Sequence, residues 1–210
     1  MRIIVVDDDR KNLESARQQF TSNHELTLAS SIDEALKLLE PRKSVVNELI
    51  VSAGFSDGKW GTDTNKLSAE ERTRFYAACN DAERSVFATP PPFDVALFDL
   101  FMPASASKMG KEGMKFLGEP TSYGYPLALY AIKRGINLVG ILSYSNHHDH
   151  PIAAAGDSIF RNGFGSCGSL AEIPIGEERR FMIADTSCGR FWTEAGEKDW
   201  SGFLAKLLEK

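Results

Sequence analysis

Acidic residues stand where two apolar runs end abruptly. Ile3 to Val6 runs into Asp7, Asp8 and Asp9, and Val95 to Phe98 runs into Asp99. A third apolar run, Leu138 to Leu142, ends at Ser143. Carboxylates gathered at neighbouring strand ends repel one another, so stability alone does not explain them. A hard cation resolves the repulsion, and Mg2+ takes one or two carboxylates together with water and phosphate oxygens. A carboxylate left partly free beside such an ion can act as a nucleophile toward phosphorus.

The spacing around the acids predicts the elements that would hold them. Ile3 to Val6 reads as a buried parallel strand that delivers polar residues to its C-terminal edge. A helix follows from Arg10 to Phe20, with Leu13, Ala16, Arg17 and Phe20 on one face and Asp9 as its N-cap. Glu25 to Ala29 reads as a second strand. Ser31 to Glu40 reads as a second helix, opened by a capping box of Ser31 and Glu34 and closed by Pro41. After residue 90 come strand Val95 to Phe98, helix Tyr125 to Arg134 ending at Gly135, and strand Leu138 to Leu142. Strand Phe181 to Ala184 and helix Asp199 to Leu208 complete the series. Such alternation predicts an α/β fold: a doubly wound, parallel five-stranded sheet flanked by helices. Its site would lie at the C-terminal strand ends.

Residues 41–90 interrupt the alternation. Val45 to Val51 reads as helical, Gly54 to Gly61 as loop, and Ser68 to Phe87 as a helix with its own capping box, Ser68 and Glu71. The prediction is a helical hairpin inserted into a single domain spanning 1–210, bounded by Pro90, Pro91 and Pro92. Between His150 and Arg180, glycines and prolines leave no periodic signal.

Composition narrows the classes. Acidic residues number 29 and basic residues 24, a net charge of -5 with no dense basic block, so nucleic acid is not an expected partner. No run approaches the ~18 apolar residues of a membrane span, and the N-terminal run is too short for a signal-peptide core. The expectation is a soluble, cytoplasmic protein with no membrane contact. Cys79, Cys167 and Cys188 are widely spaced with no CxxC pair and read as ordinary reduced thiols.

Three motifs then fall in order: IIVVDD at 3–8, DVALFDLFMP at 94–103 and LVGILSYS at 138–145. Together they resemble the receiver domain of bacterial two-component response regulators. The resemblance implies a flavodoxin-like receiver fold. It implies that Asp99 accepts a phosphoryl group from a phosphohistidine on a sensor histidine kinase or phosphotransfer protein. It further implies Mg2+ held directly by Asp8, Asp99 and the backbone carbonyl of Phe101, with Asp7 holding it through water. Ser143 matches the switch hydroxyl, and the output would be altered contacts with a downstream protein; a homodimer is left open.

Receivers carry a Lys near the end of the last strand, and none is found here. Ala184 stands three residues after Phe181, and Ile173 precedes Pro174. Lys108, Lys111 and Lys115, after Asp99, are the candidates to reach back over the site. Two other readings stand beside the first. One is a pseudo-receiver, an interaction module that is not phosphorylated. The other is a metal-dependent phosphohydrolase using Asp7, Asp8, Asp99 and His147 or His148. His147, His148 and His150 follow Ser143 closely enough to suggest a transition metal. Adjacent side chains diverge, however, and a solvated loop with Asp149 as N-cap explains the run as well.

Overall fold

β-branched and aliphatic runs build the sheet, because buried parallel strands need apolar side chains on both faces. The computed structural model describes residues 1–210 apart from 21, 41–42, 88, 107–108, 145–169, 176–178, 186–189 and 210. The strands begin with β1 (Arg2–Val6), β2 (Glu25–Ala29) and β3 (Val95–Phe98). A short antiparallel ribbon of β4 (Met102–Pro103) and β5 (Pro120–Thr121) follows. The remaining strands are β6 (Leu138–Ser143), β7 (Leu170–Pro174) and β8 (Arg180–Asp185).

Among the described residues the main sheet has six strands in the order β2-β1-β3-β6-β8-β7. Five are parallel, in the order of a flavodoxin-like doubly wound sheet. The sixth, β7, corrects the five-strand expectation: Leu170–Pro174 pairs antiparallel with β8 at the edge. A sequence run does not carry its own direction. A connection of only five residues between β7 and β8 forces the antiparallel return.

Helices cover both faces. α1 (Arg10–Phe20) is capped by Asp9, whose carboxylate accepts the Lys11 N–H at 2.8 Å. Its buried residues are Asn12, Ser15, Ala16 and Phe20. Arg17, expected on that face, is exposed and pairs with Glu14 at 2.7 Å. α2 (Ile32–Leu39) starts at Ser31, whose hydroxyl accepts the Glu34 N–H at 3.3 Å. Glu34 returns the bond one residue further back, to the Ser30 N–H at 2.6 Å.

The chain forms two compact units, Met1–Leu38 with Pro92–Lys210, and Leu39–Pro91. The second unit holds α3 (Lys43–Ser52), a single turn α4 (Gly58–Gly61) where loop was expected, and α5 (Ala69–Phe87). Among the described residues, three α-helices and a 3-10 turn (Thr64–Lys66) thus stand where a two-helix hairpin was expected. Ser68 and Glu71 form the reciprocal capping box at the start of α5, at 2.8 and 3.2 Å. Val46, Ile50, Phe75, Cys79, Ala82 and Val86 make this unit's core.

In the sheet unit, α6 (Gly124–Lys133) packs on β3 and β6. The last helix, α7 (Trp200–Leu208), begins at Asp199, which accepts the Gly202 N–H at 2.8 Å. Ile3, Val5, Val95 and Leu97 bury their side chains with Phe20, Trp200, Phe203 and Leu207. Their alternates Ile4, Val6, Ala96 and Phe98 are equally buried. Strand residues point alternately to the two faces, so both faces are covered. Gly140 lets α7 approach the sheet, because a Cβ there would lie 2.5 Å from the Phe203 ring.

Candidate functional site

Two hydrogen bonds carry the parallel ladder one residue past the strands. The Asp7 N–H donates to Ala29 O at 3.1 Å, and the Asp99 N–H donates to Val6 O at 2.7 Å. Asp7 and Asp99 are thereby fixed at the C-terminal edge of adjacent strands, where the strand order reverses and crevices form. The start of α6 seats against this edge. Gly124 N–H donates to Leu100 O at 3.0 Å, and a Cβ on Gly124 would lie 2.5 Å from Asp99 O. Ser143 ends β6 on the same edge, buried and opposite Asp185 in β8.

The sequence reading places Asp7, Asp8 and Asp99 together, and the structure does so: one carboxylate oxygen of each lies within 4.8 Å of the others. Asp7 and Asp99 are buried and Asp8 is exposed. Phe101 lies two residues beyond Asp99, half-buried. The histidine run 147–150 with Asp149, together with Lys108, Cys167 and Cys188, lies outside the described residues.

The ammonium missing from the strand end comes from elsewhere. Lys198 Nζ lies 2.6 Å from Asp7 Oδ2 and 2.5 Å from Asp99 Oδ1, with the lysine fully buried. Lys111 and Lys115, two of the candidate substitutes, are exposed between β4 and β5. Ala184 stays in the core. Lys198 rides on a small hairpin that leads into α7. Trp192 bridges Lys198, Thr193 N–H donates to Glu197 O at 2.8 Å, and Gly196 turns the chain at φ 78°. No periodic pattern marks such a hairpin, so sequence spacing gave no warning of it. The available signal was a lysine beside an N-cap aspartate that opens a strongly apolar helix.

The ammonium sits between aromatic faces, 5.0 Å from the Tyr144 ring centroid and 5.2 Å from that of Trp200. Asn12 closes the network. Its Nδ2 donates to both Asp7 oxygens at 3.3 and 3.2 Å, and its Oδ1 accepts the Lys198 N–H at 3.3 Å and the Tyr144 O–H at 2.9 Å. Asp7 Oδ1 also accepts the Asp9 N–H at 2.8 Å. Sequence reasoning missed Asn12, although a polar residue on the inward face of α1 was its signal.

Charge at this edge is unbalanced. Within the Asp7, Asp8 and Asp99 cluster, three carboxyl groups face one ammonium, an excess of two negative charges when all three are ionised. Burial, reinforced by the Asp7 and Asp8 charges and opposed by Lys198, pushes the Asp99 carboxyl up to about 6. Burial and the Asp7 charge also raise Asp8. Burial pulls the Lys198 ammonium down, but Asp99 and Asp7 outweigh it, so its pKa is raised and it stays protonated. An excess of two charges on hard oxygen donors fits a divalent cation such as Mg2+. Asp7 has both oxygens engaged by protein donors, which leaves Asp8 and Asp99 as the better direct ligands.

Comparison of the chain with protein-family models, with curated proteins and with solved structures finds no match.

Proposed function

We propose that this protein is a receiver-like phospho-acceptor in two-component signalling, with Asp99 as the acceptor. The observation that carries the reading is the Lys198 ammonium bridging Asp7 and Asp99 beside Asp8, an acidic edge with one fixed cation. Phosphoryl transfer needs positioning and charge neutralisation more than covalent machinery. With Asp99 Oδ1 taken by Lys198, Oδ2 is the oxygen that attacks phosphorus. The new bond is Oδ2–P, and the bond broken is the P–N bond of a phosphohistidine. The imidazole leaves and takes its proton from solvent. Lys198 then balances the added negative charge.

Asp8, Asp99 and the Phe101 carbonyl would hold Mg2+, with Asp7 reached through water. When bound, the ion neutralises charge on the phosphoryl oxygens. Ser143, on the same edge, supplies the hydroxyl that turns toward the phosphoryl group. The partners are a sensor histidine kinase or phosphotransfer protein and a downstream protein whose contacts change. The pseudo-receiver alternative took its chief support from the absence of a lysine, and Lys198 beside Asp99 weakens that support.

The test is titration with beryllofluoride and Mg2+, followed by tryptophan fluorescence, since the Trp200 ring lies 5.2 Å from Lys198 Nζ. A saturable change that needs Mg2+ and disappears in Asp99→Asn is the expected result. No response in the wild type, or one that survives Asp99→Asn, would sink the reading. Catalytic turnover of phosphomonoesters that Asp99→Asn abolishes would replace it with a phosphohydrolase.

A further inference from the structure

Asn12 is nearly inaccessible to solvent, at 1% exposure, and the phospho-acceptor chemistry gives it no task. Yet it touches both the acid and the chain that carries the ammonium. Both Asp7 oxygens already take protein N–H donors, and the atom of Asn12 that faces them donates as well. The Lys198 N–H can only donate toward Asn12, so the atom facing it must accept, and the same oxygen is 2.9 Å from the Tyr144 hydroxyl. A short side-chain amide meets both demands at once. A carboxylate at this position would face Asp7 with like charge, and an apolar side chain of the same shape would satisfy neither side.

Lys198 also lacks the usual anchorage of a strand residue. Its main chain is held by one bridge to Trp192, by Ser15 Oγ and Gln19 Nε2 on its carbonyl at 3.2 and 3.1 Å, and by Asn12 on its N–H. Of these, Asn12 is the side chain that grips Asp7 as well. Through Tyr144 it reaches the residue directly after Ser143, and its own carbonyl accepts the Trp200 indole N–H at 3.1 Å.

We propose that Asn12 is the positioning residue of this site, fixing the geometry in which Lys198 meets Asp7 and Asp99. The consequence at Asp99 rests on the phospho-acceptor reading, whereas the placement of Lys198 does not.

Amine acylation of the full chain, read residue by residue by mass spectrometry, tests the placement. Lys206, whose side chain is 41% exposed, serves as the internal reference. In the wild type Lys198 is protected. Asn12→Ala is expected to raise Lys198 acylation relative to Lys206 by about tenfold with helix content unchanged, and to slow acetyl-phosphate labelling of Asp99 by a similar factor. Ser15→Ala removes a bond to the same hairpin without touching Asp7 and is expected to raise it far less. An unchanged ratio in Asn12→Ala, or an equal rise in Ser15→Ala, overturns the proposal. Should Asn12→Ala fail to fold, Asn12→Asp decides: it keeps the acceptor for the Lys198 N–H and sets like charge against Asp7, and no gain in Lys198 acylation there also overturns it. Failure of the wild type to label with acetyl phosphate sinks the phospho-acceptor reading and leaves the acylation result standing.

Discussion

The helical unit and the acidic edge bury different things. In Leu39–Pro91 the core is Val46, Ile50, Phe75, Cys79, Ala82 and Val86, with the Phe55 and Phe75 rings edge to face at 5.1 Å. At the sheet edge the buried groups include the charged Asp7, Asp99 and Lys198. Packing a phenylalanine contributes roughly 1.5–3 kcal/mol by removing apolar surface from water. A buried ion pair gains little, because desolvation offsets most of the Coulomb attraction. The first arrangement adds to stability, and the second is one that stability does not account for.

The sharpest way to break that contrast is to remove one charge. Lys198→Met leaves Asp7 and Asp99 buried without their cation, an expected loss of about 3–5 kcal/mol in urea unfolding. Millimolar Mg2+ should restore part of it. A loss that Mg2+ does not touch would mean the edge is structural. Phe75→Ala should cost about 3–5 kcal/mol through a cavity, and here Mg2+ should restore nothing.

Gly124→Ala is smaller in energy, roughly 1–3 kcal/mol, because the added methyl meets the Asp99 backbone and must displace it. It should weaken the beryllofluoride response more than its melting temperature suggests.

Protonation sharpens the contrast without a mutation. Asp99 has its carboxyl pushed to about 6, above its ordinary 3.8, so between those values the metal-free folded chain binds more protons than the unfolded chain. This group therefore favours folding more as pH falls through 6. Mg2+ needs the ionised form, and its apparent affinity should fall about tenfold from pH 7 to pH 5 by calorimetry. The smallest effect belongs to Asp94→Asn at the half-exposed Arg2 pair. It should cost below about 1 kcal/mol and less again in high salt.

Much of the frame is legible because it is local. β2 and β3 begin and end at the expected residues, and Asp9, Ser31 and Ser68 mark helix starts through bonds that span two or three residues. The acids are legible because parallel strands must release polar residues at one edge. Lys198 is not, since it reaches Asp99 across 99 residues from a hairpin whose turn depends on Gly196 and on Phe191 at φ 58°. Asn12 lies between these cases. Its helical position is readable, but its partners Lys198 and Tyr144 are tertiary.

The pairing of β1 with two neighbours has a kinetic consequence. Ile3 lies opposite Leu26 in β2 and opposite Val95 in β3, separations of 23 and 92 residues. A fourfold longer loop adds only about 1.2 kcal/mol to closure, so the intervening segment is a tolerable detour for the folding chain. Asp7 and Asp99 become neighbours only when that long closure is complete, so a cation held by them stabilises only states in which β1 and β3 have paired. The effect of Mg2+ on the two rates dates that closure: slower unfolding with an unchanged folding rate puts it after the transition state, and faster folding puts it before.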